Sequence, residues 1–260
     1  MNFIDTNRLK YPEFSEEVLL TIHQDKTLNQ TQYQHLQLLT ALQSSYTGEF
    51  TESLRITKSI LDLNEATNLD IQSRALKLNI NIALINRDWK FGFENIERIL
   101  TIIPELSNEI LKQDAFVIVA MFYNRLNEHQ FTLEYINKVQ AIKLTEKNSC
   151  VVARLYAEAN LKLASIAPHD YQVSSALTTC EKKQMYIWSG FLRTLIARMH
   201  IDADKPNEAL GQLIPYLRDL ENTNYPNLIA EVYSAMAQAY WQKLNIERAE
   251  RFALKAVEVG

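Results

Sequence analysis

Hydrophobic positions along this chain recur at helical spacing, and short polar breaks separate the recurring stretches. In Asn227–Leu244, residues Ile229, Val232, Tyr233, Met236, Ala237 and Tyr240 share one helical face. No segment of comparable length alternates with the period of a strand. The breaks divide the chain into pairs: 30–46 with 49–63, 68–86 with 90–102, 107–126 with 130–144, 147–166 with 170–183, 186–202 with 206–221, and 226–244 with 246–259. Connections this short make the two helices of each pair antiparallel neighbours. Ser15-Glu-Glu ahead of Val18-Leu19-Leu20 adds a helix near 13–26, for about thirteen in all.

A column of small residues runs through these pairs: Ser53, Gly92, Thr132, Ser174, Ala209 and Ala249, at steps of 39, 40, 42, 35 and 40. Three positions earlier stand Phe50, Trp89, His129, Tyr171, Pro206 and Ile246. Twelve positions earlier, five repeats carry Ala41, Ile80, Ala120, Ala197 and Ala237. The physical reading is a close helix crossing, where a bulky side chain would hold the axes apart. A period of this size built from two helices predicts an all-α, right-handed superhelical solenoid of antiparallel helix pairs. The expectation is a single repeat domain over 1–260, with an N-terminal helical segment at 1–28 and six hairpins over 30–259. A stack of this kind offers an extended binding surface rather than a pocket built for chemistry.

Helix boundaries carry their own signals. Thr31-Gln-Tyr-Gln34 reads as a capping box. Asp204-Lys-Pro206 reads as an acidic N-cap ahead of a first-turn proline, and Pro226 opens another helix in that way. Pro104 marks a helix stop, and Pro215 predicts a kink inside 206–221.

Composition narrows the picture. At 47% hydrophobic residues the chain is not disordered, and five glycines with six prolines suit long helices and short turns. The net charge of −4 and the lack of a Lys/Arg run exclude an electrostatic footprint for nucleic acid. No apolar stretch reaches the ~18 residues of a membrane span, and the N-terminus lacks an apolar signal region. The amphipathic helix Arg248–Val259 ends without the polar outer face of a terminal repeat, so a longer natural polypeptide is expected.

Candidate chemistry is sparse. His23, His35, His129, His169 and His200 form no i, i+4 pair for a metal, and each reads as a turn or core residue. There is no nucleophile elbow and no phosphate-cradling glycine loop. Glu13, Glu16, Glu17, Glu247 and Glu250 fall on solvated faces, and Tyr123, Trp188 and Tyr240 at core spacing. The chain therefore reads as no enzyme, with no metal and no cofactor. Cys150 and Cys180 fall at one end of the fourth hairpin. That placement leaves a disulfide and two buried free thiols both open, and a stable bridge would mark an oxidising compartment.

Ala237-Gln-Ala-Tyr-Trp-Gln-Lys-Leu-Asn-Ile-Glu-Arg-Ala249, followed by Ala253 and Ala256, resembles a tetratricopeptide repeat. So does Ala41-Leu-Gln-Ser-Ser-Tyr-Thr-Gly-Glu-Phe-Thr-Glu-Ser53. That family repeats at about 34 residues, so these helices must be longer. The fourth pair departs furthest, with Lys162 and Glu181 where small or apolar residues belong. A second likeness spans most of the chain. Ala120-Met-Phe-Tyr-Asn-Arg-Leu-Asn-Glu128, Cys150, Cys180, Pro206-Asn-Glu-Ala-Leu-Gly-Gln-Leu-Ile-Pro-Tyr-Leu217 and Asn224-Tyr-Pro-Asn-Leu-Ile-Ala-Glu231 resemble the sensor region of certain bacterial diguanylate cyclases. The resemblance implies a periplasmic sensor ahead of a membrane helix and a GGDEF catalytic domain, neither of which this sequence contains. It also implies the Cys150–Cys180 bridge. The alternative is a cytoplasmic scaffold that binds a peptide or partner protein.

In hairpin repeats of this type the first helix of each pair lines the concave face. Counting back from the small column places Arg74, Lys77 and Asn81 there, then Met121, Asn124 and Arg125, then Arg198, then Gln238, Trp241 and Gln242. Cations and amides converging in an acidic chain suit an extended peptide with an acidic residue or free C-terminus, a protein, or a small anionic ligand. Trp241 would supply a stacking face. The sequence leaves a homodimer open.

Overall fold

The computed structural model describes residues 28–62, 68–163, 171–222 and 225–259. The expected N-terminal helix near 13–26 lies outside the described residues. Among those residues every regular element is a helix. They fall into two compact units that divide between Arg125 and Leu126.

The first unit holds α1 (Gln30–Tyr46), α2 (Phe50–Leu61), α3 (Leu69–Asn86), α4 (Trp89–Ile102), a 3-10 turn (Ile103–Glu105) and α5 (Glu109–Arg125). Here α1 packs on α2, α3 on α4, and the first helices α1, α3 and α5 follow one another. The second unit holds α6 (His129–Gln140), α7 (Glu146–Lys162), α8 (Tyr171–Lys182), α9 (Tyr186–Asp202) and α10 (Pro206–Leu213). A 3-10 turn (Ile214–Tyr216), α11 (Leu217–Glu221), α12 (Pro226–Gln242) and α13 (Ile246–Val259) complete it. There α7 pairs with α8, α9 with α10 and α12 with α13, while α7, α9 and α12 stack in turn. The fold is thus all-α and built of antiparallel helix pairs.

The hairpin turns share a geometry that the sequence hid. Gly48, Arg87, Asn127, Asp204 and Leu244 all have positive φ, and each lies five residues before the small column. At four of them the next amide donates back to a carbonyl one turn inside the helix: Glu49 to Ser44, Asp88 to Ala83, Lys205 to His200 and Asn245 to Tyr240, at 2.8–3.0 Å. This is the Schellman closure, which satisfies carbonyls that a helix end leaves orphaned. Asp204 is therefore not the N-cap of α10. The turn needs it in the left-handed region, and Lys205 occupies the cap without a side-chain bond.

Two further boundaries are corrected or met. The capping box is Asn29 with Gln32, two residues before the expected one. Asn29 Oδ1 accepts from the Gln32 amide at 3.0 Å, and Gln32 Oε1 from the Asn29 amide at 2.9 Å. Thr31 already lies inside the first turn, and Gln34 turns into the core. Pro104 and Pro215 each sit in a 3-10 turn, and Pro215 splits its helix into α10 and α11. The ring removes a donor and clashes one turn back.

The small column packs as expected at Ser53, Gly92, Thr132, Ala209 and Ala249, which are buried. Ser53 Oγ donates to the Ala41 carbonyl across the α1/α2 crossing at 2.8 Å. Gly92 faces the ring of Phe122 on α5, so its small size also admits a side chain of the following helix. Ser174 is the exception and is exposed. The buried face of α8 is Val173, Ala176 and Cys180, which turns Cys180 toward Cys150 on α7. Those two sulfurs are bonded, with Cα atoms 6.0 Å apart.

Three polar side chains between the helices of the first unit form one paired chain. Thr57 Oγ1 donates to Asn79 Oδ1 at 2.7 Å, Asn79 Nδ2 to Asn95 Oδ1 at 3.0 Å, and Asn95 Nδ2 to the Phe91 carbonyl at 2.8 Å. This buried ladder ties α2, α3 and α4 together, and each member is costly to leave unpaired. In the second unit Tyr233, Tyr240 and Phe252 pack between α12 and α13, the last two rings stacked at 5.6 Å. The Tyr233 hydroxyl donates to Glu221. Burial, then that bond and the Glu221 charge, push its pKa up to about 12.

Candidate functional site

Side chains named from the sequence as groove candidates lie on first helices in both units. In the first unit Arg74 is exposed on α3, and Lys77 and Asn81 are half-buried on the same helix. Lys77 Nζ donates to Asp114 on α5, so this cation is already committed to a carboxylate. On α5, Met121 and Asn124 are half-buried and Arg125 is exposed. Asn124 Oδ1 is shielded from solvent with no hydrogen-bond partner among the described residues. In the second unit the Arg198 guanidinium lies 3.9 Å from Glu231 on the neighbouring α12. Both ion pairs join successive first helices.

Gln238, Trp241 and Gln242 come together. They line an open cleft of about 700 Å³ between the end of α9, the last turns of α12 and the start of α13. Trp241 keeps 63% of its surface exposed there. The Gln242 amide donates to the Ile201 carbonyl at 2.9 Å, which fixes α12 against α9 at the cleft's edge. Ala237, Ile246, Ala249 and Ala253 make the floor apolar. The charged groups on this wall are Asp202 and Glu250, both acidic. An anion is therefore less suited to this cleft than an apolar or neutral group, and Arg198 is not among its lining residues.

Sequence reasoning missed a second cavity. It measures about 210 Å³ and is lined by Glu181, Arg193, Tyr216 and Asp219, among others. Glu181 had stood out only as a misfit on its helix. Arg193 lies within an apolar run of α9, where periodicity gives no reason to single it out.

Among the described residues no group of three or more His, Cys, Asp or Glu side chains is placed to hold a metal ion. His200 is buried within α9, and His35 Nδ1 lies 2.9 Å from the Thr31 carbonyl of its own helix. No described helix is long and apolar enough to cross a membrane.

No family model matches this chain, and no curated protein does. Among solved structures it is similar to NprR in complex with its cognate peptide NprX. The TM-score is 0.60 at 15% identity, covering 86% of this chain and 66% of that one. The chain thus spans just under two thirds of NprR's length. At this identity the likeness establishes the fold, an all-α TPR-like arrangement of helix pairs. It also overturns one expectation. Periplasmic location rested on the resemblance to cyclase sensor regions, and the matched fold is that of NprR instead. The periplasmic placement is therefore withdrawn.

Proposed function

We propose that this chain is a non-catalytic helical module that binds a peptide or a partner protein. The observation that carries the reading is the cleft at Trp241, in a fold similar to that of a protein solved with its cognate peptide. An exposed tryptophan over an apolar floor offers a large, rigid contact area, the kind of residue that dominates binding energy. Gln238 beside it supplies an amide that both donates to and accepts from an extended backbone. In the first unit Arg74, Asn81, Met121, Asn124 and Arg125 are proposed contacts, with the two arginines meeting an acidic residue, a free C-terminus or a small anion. Lys77 and Arg198, already paired, hold neighbouring helices in place.

The test is selection from a random peptide library on the purified chain. Selected peptides should lose more than about tenfold in affinity on Trp241→Ala or on the Arg74→Ala/Arg125→Ala pair, with helicity unchanged. Peptides that bind wild type and all these variants equally would overturn the assignment.

A finer reading, relay of binding to a diguanylate cyclase domain, is supported by the likeness of Ala120–Glu128 and Pro206–Leu217 to cyclase sensor regions. Its test is the natural gene. A GGDEF-encoding segment whose GTP turnover responds to a selected peptide would support it, and a gene without that motif would end it.

A further inference from the structure

Three local oddities of the sequence meet at one place in the second unit. Glu181, which the repeat pattern would have apolar, is exposed near the end of α8. Arg193 is a charge inside the apolar run of α9 and is only 7% exposed. Pro215 breaks a helix and so sets the positions of Tyr216 and Asp219. The cavity of about 210 Å³ is bounded by all four of Glu181, Arg193, Tyr216 and Asp219, with Tyr186 and Ser189 from the first turn of α9.

The arrangement is costly as mere scaffolding. A buried guanidinium loses its hydration, and an apolar residue of similar size would serve packing as well or better. Arg193 has one carboxylate partner, Glu181, and its guanidinium carbon lies 3.3 Å from the centroid of the Tyr216 ring. That stacking and that bond hold the fork rigid. A guanidinium has five donors, and this one forms part of the cavity wall. Asp219 brings a carboxylate to the same wall. The cavity therefore presents a fixed cationic donor and a separate anionic acceptor, with the tyrosine rings beside them.

We propose that this cavity binds a free α-amino acid. The ligand's carboxylate would accept from Arg193, and its ammonium would donate to Asp219. A zwitterion meets both, whereas a simple anion leaves Asp219 unmet and a simple cation leaves the remaining Arg193 donors unmet. The volume of about 210 Å³ corresponds to about seven waters at ~30 Å³ each, which suits one of the smaller amino acids. This site stands apart from the cleft at Trp241 in its lining residues and its chemistry, so the two proposals fail independently.

The experiment is calorimetry of the intact 260-residue chain with each of the twenty common L-amino acids at millimolar concentration. At least one of the smaller ones should bind with one-to-one stoichiometry. Asp219→Asn, a change at the cavity wall that leaves the ion pair in place, should weaken it more than about tenfold, the scale of one lost charge-assisted hydrogen bond. Arg193→Gln should do the same, and if that variant does not fold, Asp219→Asn decides alone. Propionate and propylamine, each carrying one of the two charges, should bind more than about tenfold more weakly than the amino acid. Absence of binding by all twenty, equal affinity in Asp219→Asn, or propylamine binding as tightly as the amino acid would overturn the proposal.

Discussion

Gly92 offers a direct test of how the repeats pack. A methyl group built there would lie 2.2 Å from Cε2 and 2.5 Å from Cζ of Phe122. Carbon atoms in contact sit about 3.5–4.0 Å apart, so alanine overlaps the ring by more than about 1 Å. Phe122 has no exposed surface, and its ring meets those of Trp89 and Phe93 edge-on at 5.8 and 5.1 Å. It cannot swing aside without moving them. Overpacking of this kind costs about 1–3 kcal/mol. Alanine gains about 1 kcal/mol over glycine in a helix, so Gly92→Ala alone understates the clash. Gly211 supplies the reference, because it is also helical and a Cβ there meets nothing within 4 Å. Gly211→Ala should raise stability by up to about 1 kcal/mol, and Gly92→Ala should lie about 1–3 kcal/mol below it. Thermal unfolding followed by circular dichroism reads the gap as roughly 2–4 °C per kcal/mol for a chain near this size. Gly92→Leu should fall lower still, and Phe122→Leu in the Gly92→Ala background should recover part of the loss. Equal shifts for Gly92→Ala and Gly211→Ala would refute the close crossing.

Other outcomes follow from single features. Replacing Cys150 and Cys180 by alanine opens a loop of 30 residues and should cost about 3–4 kcal/mol in the chain-entropy account; two free thiols titrated in denatured, unreduced protein would show that the bridge does not form. Leu244 has φ +57° and is 83% exposed, so Leu244→Gly should stabilise by roughly 1 kcal/mol and Gly48→Ala should do the reverse, both read by urea unfolding. The raised pKa of Tyr233 means that the fold favours its neutral form. Its contribution should be complete below pH 10 and lost as pH rises through about 12; a stability profile over that range unchanged by Tyr233→Phe would count against it.

Periodicity alone determined the helices, because burying one face at 3.6 residues per turn writes itself into the order of apolar residues. The pair boundaries, the column from Ser53 to Ala249 and the breaks at Pro104 and Pro215 were legible for this reason. Left-handed turn residues were not, since Arg87, Asp204 and Leu244 accept a strained φ that only the closing hydrogen bonds justify, and Gly48 alone announces it. Spacing along one hairpin could not show that the Phe122 ring of the following helix presses on Gly92. Ser174 failed its column because α8 buries the face of Val173, Ala176 and Cys180 instead. At the site, counting from the column placed Gln238, Trp241 and Gln242 together, since all three ride one helix end. It could not show that Lys77 and Arg198 are paired with Asp114 and Glu231, or that Glu181, Arg193 and Tyr216 meet. Those pairings join residues on different helices, and side-chain charge carries no record in sequence of the partner across the interface. That is decided only when the helices dock.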